Sequence, residues 1–324
     1  MTRYSFVRAL CALILLIAPG IALSQAFPSR AIRIFVPYTT GGSPDTVARI
    51  VGQKMGSMLG QSIVVENISG GSGMPAIRSL LSSRPDGYSL ILLDAGHWAI
   101  NPAGRSSVPY DPEKSFTPVG MVTTQSLFLA VHKLVPANNL PELIALIKKN
   151  PGVYSYGSGG IGSVHHLTVE VMKQELGLDI VHIPFRGMAS AVPALVAGNV
   201  QIAVSALNSI TQYEKAGMIK ILGANTAARS PLAPEVPSIS TVVPNFDFPG
   251  QIGLLGPVGM PKEVVDKLAQ TLAEAIKTPE VIAALNKMGL EPAASSAPDA
   301  LAKRIQSDRA KYGAIMKSLG IKLE

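Results

Sequence analysis

Strand-like and helix-like stretches alternate along this chain, and at three of the changeovers the link is a glycine-rich loop. That order is the pattern of βαβ units, which fold only when helices cover a largely parallel sheet. Ala31 to Thr39 (AIRIFVPYT) reads as a buried strand. After Thr40 to Asp45 comes a helix in which Val47, Ile50, Val51, Met55, Met58 and Leu59 keep helical spacing. Strand Ser62 to Glu66, loop Ser69 to Gly73 with a helix through Leu81, and strand Tyr88 to Leu93 complete a first series. Short apolar runs at Val119 to Val122 and Leu127 to Val131 lead into a second.

That second series runs from helix Leu140 to Lys149 through strand Val153 to Tyr156, loop Gly157 to Ser163 and a helix to Leu176. Strand Ile180 to Pro184, a helix near Ser190 to Ala197, and strands Val200 to Ser205 and Ile219 to Ala224 follow. Pro231, Pro234, Pro237 and Pro244 mark an irregular link, then come a strand near Gln251 to Leu255 and three helices opening at Pro261, Pro279 and Pro298. The expected architecture is two-domain α/β. Residues 27–124 with 246–324 would form a discontinuous first domain and 125–245 the second, with two crossings acting as a hinge.

The first 26 residues stand apart. Arg3 and Arg8 precede the uncharged apolar run Ala9 to Leu23, and Ser24-Gln25-Ala26 supplies a small-x-small site. This is the order of a secretory signal peptide, and the run is short of the ~20 residues a membrane span needs. Cleavage near Ala26 and a periplasmic location are expected. The single cysteine, Cys11, lies in this leader, so the exported chain would hold no disulfide, thiolate nucleophile or cysteine metal site. Hydrophobic residues at 47% against 15% charged ones exclude a disordered chain. The net charge of +7 permits anionic partners, but no basic run points to nucleic acid.

The loops carry the candidate chemistry. Thr39-Thr40-Gly41-Gly42-Ser43-Pro44-Asp45 joins a strand to a helix whose first amides and positive dipole end suit a carboxylate. It also reads as a glycine turn with Ser43 as a plain N-cap. Loops Ser69 to Gly73, with Ser72 and Gly73, and Gly157 to Ser163, with Ser158, Gly159, Gly162 and Ser163, sit in the same position. Three such loops split between two halves suggest helix N-termini converging on one anion in an interdomain cleft. Tyr38 and, after the third strand, His97 and Trp98 are candidate cleft residues; Trp98 walls a pocket or fills core.

Other chemistries lack support. Gly157, Gly159 and Gly162 fit G-x-G-x-x-G, but the acid at dinucleotide spacing, Asp179, precedes its strand, which is the wrong end for a ribose. Adjacent His165 and His166 diverge by about 100° on a helix and cannot share a metal. His97, His132 and His182 add no metal spacing; structural histidines are expected, with His166 the best placed to face the cleft. There is no G-x-S-x-G elbow and no S-x-x-K. Ser163 with His166 is the least poor nucleophile–base pair and lacks an orienting third group. No cofactor, metal or catalytic residue is expected.

RIFVPYTTGGSPDTVARIVGQKM, VVEN, RPDGYSLILL, AINP, YDPEKSFTPV, YSYGSGGIGSVHHL, VHIPFRGMASAVPALVAGNV, RSPLAPEVPSI and LGPVGMPKEVVDKL occur in this order. Together they resemble the Bug family, the periplasmic receptors of tripartite tricarboxylate transporters, over nearly all of the exported chain. The resemblance implies a Venus-flytrap periplasmic binding protein that is a monomer, binds a small carboxylate and passes it to the membrane subunits of such a transporter. It also implies that Thr39 to Asp45 hold the carboxylate through backbone N–H groups and that Ser158 to His166 close from the other side. Tyr38-Thr39-Thr40 replaces the small residues common there, and Gln201 and Ser205 stand where acids are common. With Ser205 in the cleft there would be no acid for a ligand ammonium, so an acid without an amino group is expected. A sensor for a signalling partner and an enzyme acting on a small acid are the alternative readings.

Overall fold

The computed structural model describes residues 27–323; the leader and its cleavage site lie outside them. Strand β1 (Ile32–Val36), helix α1 (Ser43–Leu59), β2 (Ile63–Asn67), α2 (Met74–Leu81) and β3 (Ser89–Asp94) follow the expected order. Next come a π-turn (Gly96–Ile100), the short α3 (Asn101–Gly104), and β4 (Phe116–Gln125). The second half holds β5 (Leu127–His132), α4 (Leu140–Lys149), β6 (Ser155–Ser158), α5 (Val164–Leu176), β7 (Val181–Pro184), α6 (Met188–Val196), β8 (Ile202–Ala206), α7 (Leu207–Lys215) and β9 (Ile219–Ala224). Strand β10 (Gly250–Pro257), α8 (Lys262–Ala275), α9 (Pro279–Lys287), β11 (Glu291–Pro292) and α10 (Pro298–Ser318) close the chain.

The strands form a six-stranded sheet ordered β11-β4-β10-β3-β1-β2 and a five-stranded sheet ordered β7-β6-β8-β5-β9. Neither is wholly parallel, which corrects the expectation of parallel sheets. Strand β10 runs antiparallel to β3 and β4, and β5 antiparallel to β8 and β9. These are the strands flanking the two crossings, where the chain enters a sheet from the other half rather than through a local βαβ unit. The polar helix α7 and the turn and helix over 96–104 also escaped the sequence reading. In α7 only Ile210 is buried, so its apolar periodicity is faint.

Local chemistry explains the element ends near the site. Helix α1 starts at Ser43-Pro44 and stops at Gly60, whose φ of 67° is the left-handed cap a glycine adopts cheaply. The N-cap Ser163 accepts from the His166 amide at 3.2 Å and opens α5. The C-terminal helices need no strands of their own, because α8 and α10 pack on β4 and α9 on α1.

Packing on β5 follows the period of two. Leu127, Leu129 and Val131 join the large core cluster, whereas Phe128 and Ala130 point into a smaller one with Leu195 and Ile210. The two crossings touch each other through Asn225, which is fully buried. Its side chain accepts from Leu127 N at 2.8 Å and donates to Phe248 O at 2.5 Å.

Candidate functional site

One cavity of about 820 Å³ lies between the two sheets, at the carboxyl ends of β1, β3 and β6. That is the usual ligand position in open α/β folds. From the six-stranded side it is walled by Tyr38, Ser43, Pro44, Ser72, Gly73, Asp94 and His97. Asn101, Arg105, Thr123, Gln125 and Gln251 complete that wall. From the other side come Gly159, Ile161 to His165, Gly187 and Met188. The three glycine loops thus reach one cavity, and the start of α6 adds a fourth helix N-terminus that sequence reasoning missed.

In the first wall side-chain charges are held in place. Tyr38 donates its hydroxyl proton to Asp94 Oδ2, and His97 Nδ1 sits 2.8 Å from Asp94 Oδ1. Burial alone would raise the Asp94 carboxyl. The His97 ring and the bonds from His97 and Tyr38 outweigh it and hold the group below its ordinary value. Gly73 is required here twice over, since its φ is 81° and a Cβ would lie 2.4 Å from His97 Nε2. Ser72 is left-handed at φ 52°; its hydroxyl accepts from Arg105 Nη2 at 2.5 Å and its carbonyl from Asn101 Nδ2 at 3.3 Å.

The second wall is a glycine loop with no lysine, arginine or acid among its described lining residues. The loop over 158–163 hangs on two stacked imidazoles, His166 and His182, whose ring centroids are 4.1 Å apart. His166 Nδ1 accepts from Gly162 N at 3.1 Å, and His182 Nε2 lies 2.7 Å from Ser158 Oγ. Burial lowers His182 to about 4 and also lowers His166, so both rings are neutral at pH 7. The neighbouring His165 lines the cavity itself and burial lowers it to about 4. This wall therefore offers dipoles rather than cations.

Four cavity-lining side chains end in buried polar atoms with no partner among the described residues: Arg105 Nε, Thr123 Oγ1, His165 Nδ1 and Gln251 Oε1. Unpaired buried polar atoms cost about 1–3 kcal/mol each, and these four belong to residues that line one space. Among the described residues no three His, Cys, Asp or Glu side chains gather to hold a metal.

Of the sequence-derived candidates, Tyr38, Ser43, Ser72, Gly73, His97, Gly159, Gly162 and Ser163 line the cavity. The others do not. Thr39, Thr40, Gly41 and Gly42 form the outer side of their turn, where Thr40 Oγ1 bonds Asn67 and Gly41 N donates to Asp45 Oδ2 at 2.8 Å. Asp45 is buried beneath that turn and staples it, with Arg49 at 2.9 Å. Trp98 is core, fully buried, donating Nε1–H to Asp308 at 2.9 Å. Ser158 and His166 are buried behind the second loop; His165, not His166, faces the cavity, because the helical turn of about 100° per residue admits one of the two.

Ser205 is 1% exposed within β8, opposite Phe128, and does not line the cavity. The expectation of an amine-free ligand loses its basis, since the acid at the cavity is Asp94. Asp94, Gln125 and Gln251 were missed although strand ends and crossings were the signals that mark them. No motif flagged Arg105.

Comparison with known proteins decides the family. The description "Tripartite tricarboxylate transporter family receptor" matches residues 47–321. This chain belongs to that receptor family. The resemblance to Bug receptors is of the same kind, and the fold is that of its periplasmic binding proteins. A UPF0065 protein of Bordetella pertussis is 34% identical over 322 residues, covering 99% of both chains. Among solved receptors, a Rhodopseudomonas palustris protein with adipate is 29% identical, with a TM-score of 0.75, covering 91% of this chain and 99% of its own. MatC of the same organism, with bound malate, is 28% identical at a TM-score of 0.71, covering 89% and 99%. Among the described residues of this receptor no helix is long and apolar enough to cross a membrane.

Proposed function

We propose that this receptor captures a small carboxylate in the 820 Å³ cavity and delivers it, unchanged, to the membrane subunits of a tripartite tricarboxylate-type transporter. The observation that carries this reading is the meeting of four helix N-termini, at Ser43, Gly73, Ser163 and Gly187, around one cavity. Helix starts and neutral donors favour an anion without committing protein charge to it. The adipate and malate held by the two R. palustris receptors support the same ligand class.

Ser43 and the α1 start on one side, and Gly162 to His165 on the other, form the carboxylate clamp. Residues 27–124 with 246–324 act as one lobe and 125–245 as the other, turning about the Asn225 junction to bury the acid. The exported chain, cleaved near Ala26, works as a monomer in the periplasm and performs no turnover. Ligand binding favours the closed arrangement by its differential affinity for it.

A thermal-shift series with citrate, succinate, malate, adipate, aromatic carboxylates, aspartate and glutamate tests this. Mass action raises stability by ~2.7 kcal/mol at a hundred times Kd. An acid that raises Tm and is recovered unchanged is the expected outcome. Consumption of any acid would replace the receptor by an enzyme, and no response across the panel would remove the carboxylate assignment.

A further inference from the structure

Among the described residues Arg105 is the only lysine or arginine lining the cavity, and Asp94 the only acid. The two are committed differently. Asp94 is taken up by Tyr38 and His97, whereas Arg105 has no acid within salt-bridge distance among the described residues. Its one side-chain bond is from Nη2 to the Ser72 hydroxyl, and its buried Nε has no partner. A guanidinium carries five donors in a planar fork. That fork is half-buried beside the cavity with a single neutral acceptor, and an anion would complete it. The Ser72 backbone is left-handed and its carbonyl accepts from Asn101 Nδ2, which holds the turn that carries the hydroxyl.

We propose that Arg105 is a second anion anchor, set in the opposite wall from the α5 start, and that it selects acids carrying two carboxylates over those carrying one. This rests on the carboxylate-receptor reading above. The first carboxylate sits at the helix starts, the second forms charge-assisted bonds with Arg105, and Ser72 positions the fork. Arg105 as merely a brace for the Ser72 turn is the competing role, and the two separate experimentally. A lost brace loosens the loop for every ligand, whereas a lost anchor affects only the ligand whose second carboxylate it held.

The test is calorimetric titration of the exported receptor with chain-matched pairs, succinate against butyrate and adipate against hexanoate. Wild type, Arg105→Gln, Arg105→Lys and Ser72→Gly are compared, each first checked for native circular dichroism and melting. Ser72→Gly removes the hydroxyl at a backbone conformation that glycine accepts, so it folds even where a larger change would not. The expected result is that wild type favours the dicarboxylate of at least one pair by ~10- to 100-fold, the range of one charge-assisted hydrogen bond. Arg105→Gln should erase that preference while leaving the monocarboxylate affinity within about twofold. Arg105→Lys and Ser72→Gly should keep part of it. Equal wild-type affinity for both members of each pair overturns the proposal, as does an equal loss for both in Arg105→Gln. If no acid binds wild type at all, the carboxylate reading fails, and the anchor with it.

Discussion

The two walls of the cavity are built on different principles. The first, on the six-stranded sheet, exposes charged and hydrogen-bonding side chains that one another hold in place: Tyr38 and His97 on Asp94, Ser72 on Arg105. Behind it lies the buried network of Trp98, Asp308 and Arg304. The second is a glycine loop with the uncharged Ile161, Ser163, Val164 and Met188 and the neutral His165, and the rings of His166 and His182 stack behind it. A wall of side chains can discriminate among ligands by charge and shape. A wall of helix-start amides can grip any carboxylate. On the proposed reading the first wall supplies the selection by charge, and capture falls to the helix starts of both walls.

Breaking the foundations should separate the walls, beginning with the largest effect. Asp308→Leu leaves the Trp98 donor unpaired and takes one of two acids from Arg304. Denaturant melts followed by the single tryptophan should show a loss of about 3 kcal/mol. Acidification should act on the second wall instead. His165 and His182 fold with values near 4 against an ordinary 6.5, so the unfolded chain takes up protons that the folded one refuses. Their contribution is complete above pH 6.5 and lost as pH falls toward 4, on the order of 3 kcal/mol from the more deeply buried His165 and less from the more exposed His182. Asp94, already below its ordinary 3.8, gives way only under stronger acid. A Tm profile flat from pH 6.5 to 4 would refute this separation.

Smaller changes sharpen it. Gly162 has φ 77°, and a Cβ there would lie 2.7 Å from the Leu323 side chain. Gly162→Val should weaken carboxylate binding about tenfold or more, given ~1–3 kcal/mol of backbone strain, without altering Trp98 fluorescence. Tyr38→Phe removes one of two bonds to Asp94 and should cost about 1 kcal/mol in stability. Its effect on monocarboxylate affinity, measured by calorimetry, should be smaller than that of Gly162→Val.

Much of this molecule is legible without coordinates. Helix α4 and strand β9 fall on the expected residues because their apolar spacing and caps are local features. Asn139 and Glu142 at the head of α4 cap each other within four residues. The three glycine loops were visible for the same reason, as was their position between strand and helix. Strand direction was not, since β5 and β10 take their orientation from the crossings, and nothing within either strand encodes that.

The sequence by itself determined the alternation of elements, the two series and the glycine turns, because each depends on side-chain period and backbone freedom over a few residues. Only the tertiary structure decided which groups share the cavity. A helical turn put His165 rather than His166 on its surface, and packing sent Trp98 into the core while its neighbour His97 faced the site. Arg105, 33 residues from Ser72, meets that hydroxyl because α3 and the turn before α2 are folded side by side. Such proximity is set by the balance of packing over the whole chain, which no local pattern records.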